Sequence, residues 1–337
     1  MSEVTVDIAL PVAAQPSLNA IVELGERAEE LGYNRLWLPE TWGRDAVTTL
    51  ATIADHTDEI GISNSVFPVY SRSPALIGQT AATLDEASDG RYRVGLGASS
   101  PIVIENWHGA DFERPLRRIR EYVDVVKRVL SGETVDYGGD FFDLSGFRLR
   151  CEPPETPPAV DLAVMGPKGV ELAGRFADGW QAIVYTPDGL TQRMDDLHRG
   201  IDLGDRQRDD VRVTLGQTCC ALDDAERARE LVVQHTAFYL GGMGTYYRDA
   251  LAREGYKELA HDIYDAWQAD DRDRAKQLVA ANLMEEVPAG TPAEARECLE
   301  AVVARDEVDA MKVAFPRGAT IEEIHKTMDA LAPGTSL

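Results

Sequence analysis

The chain has 337 residues, of which 58 are Asp or Glu and 34 are Lys or Arg, so its formal net charge is −24. Such an acidic excess argues against nucleic acid or an anionic membrane as a partner, because both require basic patches. The sequence has neither a basic amino-terminal region followed by an apolar core nor a run of 18 apolar residues. We therefore expect no secretory signal, no transmembrane helix and a cytoplasmic location.

The acidic residues are spread along the chain, with adjacent pairs at 195–196, 209–210, 223–224 and 270–271. One interpretation is an ordinary, well-solvated surface. The other is adaptation to high salt, where counterions screen the mutual repulsion of the carboxylates.

The four cysteines, Cys151, Cys219, Cys220 and Cys298, show no CxxC spacing and have no companion histidines, so we expect no metal site. Cys219 and Cys220 are adjacent in a predicted strand and should point to opposite faces. We interpret the cysteines as reduced thiols, with a role facing the site for one of them as the alternative.

Short β-branched runs alternate with amphipathic helical segments along the first 130 residues. Ser17 can cap the first helix, and Gly32 can end it. The predicted elements are strand 4–10, helix 17–31, strand 35–38, helix 46–58, strand 60–66, helix 74–87, strand 92–96 and helix 115–130.

Two segments interrupt this alternation. Segment 132–158 is rich in Gly, Pro and aromatic residues and is expected to form a surface excursion, and segment 241–288 is expected to be a mostly helical insertion. The remaining predicted elements are strand 160–165, helix 169–176, strand 180–184, helix 190–203, strand 211–219, helix 223–239, helix 291–305, strand 310–314 and helix 321–331.

Eight strand–helix units favour parallel strands, because parallel neighbours need a crossover connection. A doubly wound open sheet should carry a GxGxxG turn after its first strand. That position reads Pro11-Val-Ala-Ala-Gln15, and the only similar run, Gly95-Leu-Gly97, follows the fourth strand. We therefore predict a single (β/α)₈ TIM barrel over residues 1–337.

The active site of such a barrel lies at the carboxyl ends of its strands. Gly166, Pro167, Lys168 and Gly169 stand between a strand and a helix, where free backbone N–H groups and the helix dipole suit a phosphate. The alternative is a tight turn that needs glycine for its backbone conformation. The small residues Gly97, Ala98 and Ser99 form a second loop, which could admit a flat ring or a phosphate.

Two carboxylates are candidates for proton handling. Glu105 is close in sequence to Trp107, which could desolvate it and raise its pKa; the alternative is a surface or helix-capping residue. Glu40 is the only acid at the end of the second strand, and the alternative is an ion pair with Arg44 or Arg72.

Several stretches occur in an order that resembles the bacterial luciferase-like superfamily, in particular its deazaflavin-dependent oxidoreductases and methylenetetrahydromethanopterin reductases. These stretches are 70–75, 80–86, 88–91, 94–98, 105–109, 115–122, 165–169, 173–179, 218–220, 283–284 and 290–292. The resemblance spans nearly the whole chain and depends on the ordered set of motifs.

The resemblance implies hydride transfer at C5 of a ring held over the barrel mouth. It places Gly166, Pro167, Lys168, Gly169 and Thr186 around the coenzyme phosphate, and Gly97, Ala98 and Ser99 along the cofactor. Ser65 and Val66 occupy the position of a non-proline cis peptide behind the ring. Glu105 would act as acid/base or anion stabiliser near the pyrimidine edge, and Trp42, Trp107 and Cys219 would line the substrate pocket.

The sequence departs from many relatives after the second strand, where it has Glu40-Thr41 in place of Asp-His. The histidine role of those enzymes cannot be transferred, and Glu40 is the substitute candidate.

The first functional hypothesis is a coenzyme F420-dependent oxidoreductase acting on a small molecule such as a methylene-pterin or methylene-folate. The acidic, arginine-rich composition fits a halophilic archaeal source, and such an organism would be expected to make this coenzyme. The alternatives are an FMN-dependent monooxygenase and a barrel that only binds flavin. The resemblance also implies a homodimer or homotetramer.

Overall fold

The computed structural model describes residues 5–11 and 15–333. Its first elements are β1 (Thr5–Ala9), α1 (Leu18–Glu30), β2 (Arg35–Leu38), α2 (Ala46–Ala54), β3 (Gly61–Asn64), β4 (Phe67–Pro68), α3 (Pro74–Ala87), β5 (Tyr92–Gly97), α4 (Pro101–Trp107), α5 (Pro115–Leu130), β6 (Val135–Gly138) and β7 (Asp143–Phe147). They are followed by β8 (Val160–Ala163), α6 (Pro167–Phe176), β9 (Gly179–Ala182), α7 (Pro187–Leu203), β10 (Arg212–Thr218), β11 (Cys220–Ala221) and α8 (Ala225–Gly242). The last elements are α9 (Tyr246–Leu251), a π-helical turn (Ala252–Tyr256), α10 (Lys257–Gln268), α11 (Arg272–Asn282), β12 (Ala289–Gly290), α12 (Pro292–Val303), β13 (Ala310–Ala314) and α13 (Ile321–Ala330).

The strands close into a parallel barrel in the order β3-β2-β1-β13-β10-β9-β8-β5, and β3 also pairs with β5. The short strand β4 continues the β3 position and pairs with the upper part of β5. The predicted (β/α)₈ TIM barrel is confirmed, and the open doubly wound sheet is excluded by this closure. Within the described ranges, no helix has the length and apolar character needed to cross a membrane.

Most predicted elements agree with the structure, and the differences have local causes. Predicted strand 60–66 is shorter in the structure, where β3 ends at Asn64 and the cis peptide bond between Ser65 and Val66 follows. The sequence predicts no helix between strand 92–96 and helix 115–130, whereas the structure has α4 there, with Ser100 accepting the N–H of Val103 and Pro101 in its first turn. A helix of seven residues is too short to show a clear periodic pattern. Val4, at the start of the first predicted strand, lies outside the described residues.

Segment 132–158 contains the antiparallel hairpin of β6 and β7. It is fastened to α5 by the fully buried carboxylate of Glu121, which accepts the N–H groups of Asp140 at 2.8 Å and Phe141 at 3.0 Å. These bonds satisfy a buried charge that would otherwise be costly.

Segment 241–288 contains α9, the π-helical turn, α10 and α11. These helices pack on α8 around a second apolar cluster that includes Leu240, Leu251, Ile263 and Val279. The cluster is separate from the main core, which lies between the barrel strands and their helices.

Glu254 joins this segment to the barrel. Its buried carboxylate accepts the N–H of Tyr185 at 3.1 Å and the hydroxyl of Thr186 at 2.8 Å. The Thr186 hydroxyl in turn accepts the N–H of Gly189 and caps α7. Burial raises the pKa of Glu254 to about 7, although these hydrogen bonds oppose the shift.

Helices α6 and α7 approach each other through glycines. A Cβ on Gly200 would lie 2.0 Å from the carbonyl oxygen of Glu171, and a Cβ on Gly174 would lie 2.3 Å from that of Leu197. Both neighbours are backbone atoms, so they cannot move aside without moving a helix.

We therefore expect Gly200→Ala to lower the free energy of unfolding by about 1–3 kcal/mol, the usual effect of overpacking. Urea unfolding measures this loss. The control is Gly138→Ala in β6, where an added Cβ meets no atom within 4 Å and stability should change little. Equal effects of the two substitutions would contradict the packing described for α6 and α7.

A second prediction concerns pH. The folded protein holds the Glu254 proton more tightly than the unfolded chain, so this group lowers stability as pH rises from its unfolded pKa toward about 7. Glu254→Gln should reduce the fall in unfolding free energy between pH 5 and pH 8 by about 2 kcal/mol. The matched control is Glu258→Gln, on the exposed side of α10. Parallel pH profiles for wild type and Glu254→Gln would contradict the buried position of this carboxylate.

Candidate functional site

A cavity of about 1160 Å³ opens at the carboxyl ends of the barrel strands. It extends from the barrel mouth to α8 and the helices of segment 241–288. Active sites of this fold lie at this end, because the loops that follow the strands converge there.

The bottom of the cavity is formed by small side chains, one from each of six strand positions. We call this set the cup: Ala9, Ser65, Gly97, Ala163, Gly216 and Ala314. A Cβ on Gly97 would lie 2.7 Å from Cγ2 of Val66, and a Cβ on Gly216 would lie 3.2 Å from Cε of Lys312. A side chain larger than that of glycine would therefore meet its neighbours at these two positions, and the small residues leave space above them for a flat ring.

The cis peptide between Ser65 and Val66 lies in the cavity wall, at the position that the resemblance implies. The Ser65 hydroxyl donates to Oε1 of Gln181 at 2.7 Å and accepts from Nζ of Lys312 at 3.0 Å. These bonds fix the orientation of Ser65 beside the cup.

Lys312 lies beneath the cup and is only 8% exposed. Its ammonium group also donates to Oε1 of Gln181 at 3.2 Å and lies 5.0 Å from the centroid of the Trp37 ring. Burial lowers the pKa of Lys312 to about 8. The sequence reasoning missed this residue, although the alternation of Ala310, Lys312 and Ala314 in a predicted strand indicates that the three share one face.

Residues 166–169 lie at the amino end of α6, where no side chain caps the helix. Lys168 lines the cavity, but its side chain is 76% exposed and Nζ is paired with Glu171 at 2.9 Å. A second cation lies near this loop, because Nη1 of Arg253 is 4.0 Å from the position that a Cβ on Gly166 would take. Arg253 makes no ion pair with any described residue. It was missed because it belongs to a distant segment of the sequence.

Glu40 lines the cavity, but both of its carboxylate oxygens are occupied. Oε1 accepts from Nε of Arg72 at 3.1 Å, and Oε2 accepts from Nη2 at 2.9 Å. The N–H of Ala46 also donates to Oε2, which ties Glu40 to the start of α2. This is the ion pair that the alternative interpretation expected, and both oxygens of Glu40 take part in it.

Three expected site residues do not reach the cavity lining. Glu105 is exposed on α4, whose buried face is Val103 and Ile104. Trp107 is 52% exposed and packs edge-to-face on Trp42, with ring centroids 5.7 Å apart. Cys219 is fully buried in the main core.

The physical reasons for these corrections differ. Thr218 ends β10 facing the cavity, so Cys219 next to it points the other way, as alternation requires. Glu105 and Trp107 lie on a helix that the sequence did not predict, and this helix packs through Val103 and Ile104, which leaves both side chains exposed. The other expected cofactor residues, Val66, Ala98, Ser99 and Thr186, line the cavity, as does Trp42.

His235 on α8 lines the far wall of the cavity. Its Nδ1 accepts the backbone N–H of Arg317 at 3.0 Å, and its ring stacks on Tyr239 with centroids 4.6 Å apart. Burial, together with the Arg317 charge, lowers the pKa of His235 to about 4, so the ring is neutral at pH 7. Since Nδ1 accepts, Nε2 carries the hydrogen and can donate to a ligand. No pattern in the sequence indicated this residue.

Comparison with known proteins agrees with the geometry. The model of the luciferase-like monooxygenase family matches residues 4–309. A Mycobacterium tuberculosis protein named as a coenzyme F420-dependent oxidoreductase is 31% identical over 291 residues, covering 81% of this chain and 84% of that protein. The 5,10-methylenetetrahydromethanopterin reductase of Archaeoglobus fulgidus is 27% identical over 216 residues, 64% of each chain.

Among solved structures, the coenzyme F420-dependent tetrahydromethanopterin reductase of Methanopyrus kandleri superposes with a TM-score of 0.81 at 20% identity, over 98% of both chains. At that identity the superposition supports the fold alone. The family match covers most of the sequence and agrees with the closed parallel barrel and its cavity. The chain belongs to the luciferase-like monooxygenase family.

Proposed function

We propose that this protein is an oxidoreductase that binds coenzyme F420 in the cup and transfers hydride between the coenzyme and a small organic substrate. The observation that carries the proposal is the cup itself: six small side chains at the mouth of the barrel, with the cis peptide at Ser65–Val66 beside them. The 31%-identical relative named as F420-dependent supports the choice of coenzyme.

The residues present suit this coenzyme. Its flat deazaflavin ring would lie on the cup, against Ser65, Val66 and Gly97, with Ala98 and Ser99 at one edge. Its phosphate would be held by the N–H groups of Gly166 and Lys168 at the start of α6 and by the guanidinium of Arg253, which has no ion-pair partner among the described residues. Thr186, whose hydroxyl is bonded to Glu254, would lie beside the phosphate. When bound, the deazaflavin supplies the carbon that donates or accepts hydride.

The chain's own residues would orient the reactants and keep out water. The cup would fix the plane of the ring, and Trp42, His235 and Tyr239 line the space left for a substrate. The neutral His235 would donate its Nε2–H to a substrate heteroatom. A positioned neutral donor polarises a carbonyl or imine without needing a low pH.

We further propose that the substrate belongs to the methylene-pterin or methylene-folate class. The similarity to the Archaeoglobus reductase supports this choice. The pyrimidine ring of such a substrate is planar and polar at its edge, and the cavity offers aromatic faces beside a hydrogen-bond donor.

Titration of the purified protein with F420 and, separately, with FMN tests the proposal, with coenzyme fluorescence as the signal. We expect saturable binding of F420 and weak binding of FMN.

Gly97→Val should reduce F420 affinity by about 10²-fold, because even its Cβ would lie 2.7 Å from Val66 and its methyl groups would extend further into the cup. Gly138→Val in β6 is the control, since that site is open, and its affinity should equal that of wild type.

Three results would contradict this account in different ways. Tight FMN binding without F420 binding would favour an FMN-dependent monooxygenase. F420 binding without hydride transfer to any methylene-pterin or methylene-folate would remove the substrate class and favour a binding protein. Unchanged F420 affinity in Gly97→Val would place the coenzyme outside the cup.

A further inference from the structure

The interior of the barrel carries a charge opposite to that of the whole protein. The chain has a net charge of −24. Within the described residues, six charged side chains enter the barrel from its strands: the cations Arg35, Arg93, Arg212 and Lys312, and the carboxylates Asp7 and Asp161. Four cations face two anions, so the interior has an excess of two positive charges.

Both carboxylates are already engaged with other cations. Asp7 lies 3.2 Å from Nη2 of Arg212 and accepts Nε1–H of Trp37 at 2.9 Å. Asp161 accepts from Nε of Arg93 at 3.1 Å. Neither forms an ion pair with Lys312, although both are close enough to oppose the fall of its pKa.

The two remaining cations differ in their surroundings. Arg35 donates to backbone carbonyls, including that of Arg91 at 2.7 Å, and its residue is only partly buried at the amino-terminal end of the barrel. Lys312 is buried directly beneath the cup, and its hydrogen-bond partners, Ser65 and Gln181, are neutral. The amide nitrogen Nε2 of the buried Gln181 has no hydrogen-bond partner among the described residues.

An unpaired buried ammonium is destabilising, because water is replaced by weaker partners. A hydrophobic side chain, or a glutamine, would fill the same space without that cost. The position of Lys312 therefore makes physical sense if a ligand in the cup supplies the missing negative charge.

We propose that Lys312 is a positioning residue that makes the cup select a planar ring in its anionic form. The proposal rests on the proposed function: for coenzyme F420, the ring is an 8-hydroxy-5-deazaflavin, whose hydroxyl ionises to a delocalised anion. An opposite charge within several ångströms stabilises the ionised form of a group. Lys312 acts through this field and through Ser65, and it forms no bond in the reaction.

The ionisation of bound F420 can be measured directly, because the long-wavelength absorption band of the ring depends on whether its hydroxyl is ionised. We expect wild type to lower the apparent pKa of bound F420 relative to the free coenzyme. Lys312→Met should lower the acid dissociation constant of the bound F420 hydroxyl by about tenfold. F420 affinity should fall by about tenfold at a pH where the ring is ionised and stay within threefold where it is neutral. The control is Lys326→Met on α13, where Nζ lies 2.9 Å from Glu322 on the same helix.

A purely structural role for Lys312 gives a different result. In that case Lys312→Met lowers the affinity for both forms of the ring equally and leaves the ionisation of bound F420 unchanged, which overturns the proposal. Lys312→Arg keeps the charge and should retain the wild-type absorption profile.

Wild-type protein provides a measurement that does not depend on a folded variant. The sequence has six lysines, so selective ¹³Cε labelling gives few NMR signals. Binding of F420 should raise the pKa of the Lys312 signal, because the anion and the ammonium stabilise each other. No shift on saturation with F420 overturns the inference but leaves the proposed function intact. If only FMN binds, both proposals fail, because oxidised FMN carries no ring hydroxyl that could ionise. Failure of both coenzymes to bind overturns both proposals.

Discussion

The closed ring of eight parallel strands is the constraint on which the site depends, because it sends alternate side chains of every strand into one shared interior. The residues at each height of the barrel therefore act as a layer. The upper layer of this protein consists of small residues such as Gly97, Gly216 and Ala314, and so the barrel mouth is a cup. The layer below contains Trp37, Gln181 and Lys312, which support the cup from beneath.

Charge divides this molecule into two regions with different roles. Its acidic surface favours solvation, whereas its barrel interior holds more cations than carboxylates. A field confined to a buried interior is screened little by salt, in contrast to the field of surface charges. The preference for an anionic ring would therefore persist at the high ionic strength that suits an acidic surface.

The sequence was sufficient to predict the barrel, since the strand–helix alternation and the absence of an early GxGxxG turn already distinguished it from an open sheet. It also identified the loops at Gly97 and Gly166, because a strand end followed by glycine can be seen locally. The place of Cys219 in the substrate pocket came from the resemblance, whereas alternation along β10 turns Thr218 to the cavity and Cys219 to the core. Arg253 and His235 could not be predicted, since their positions depend on how segment 241–288 and α8 pack on the barrel.

The most direct test of the account is a crystal structure of the protein with coenzyme F420. We expect density for the deazaflavin ring on the cup, with one face toward Ser65 and Val66, and for its phosphate between Thr186 and Arg253. A ring bound outside the barrel mouth, or a phosphate bound away from the amino end of α6, would contradict the central claim that the small-residue layer of the barrel is the coenzyme site.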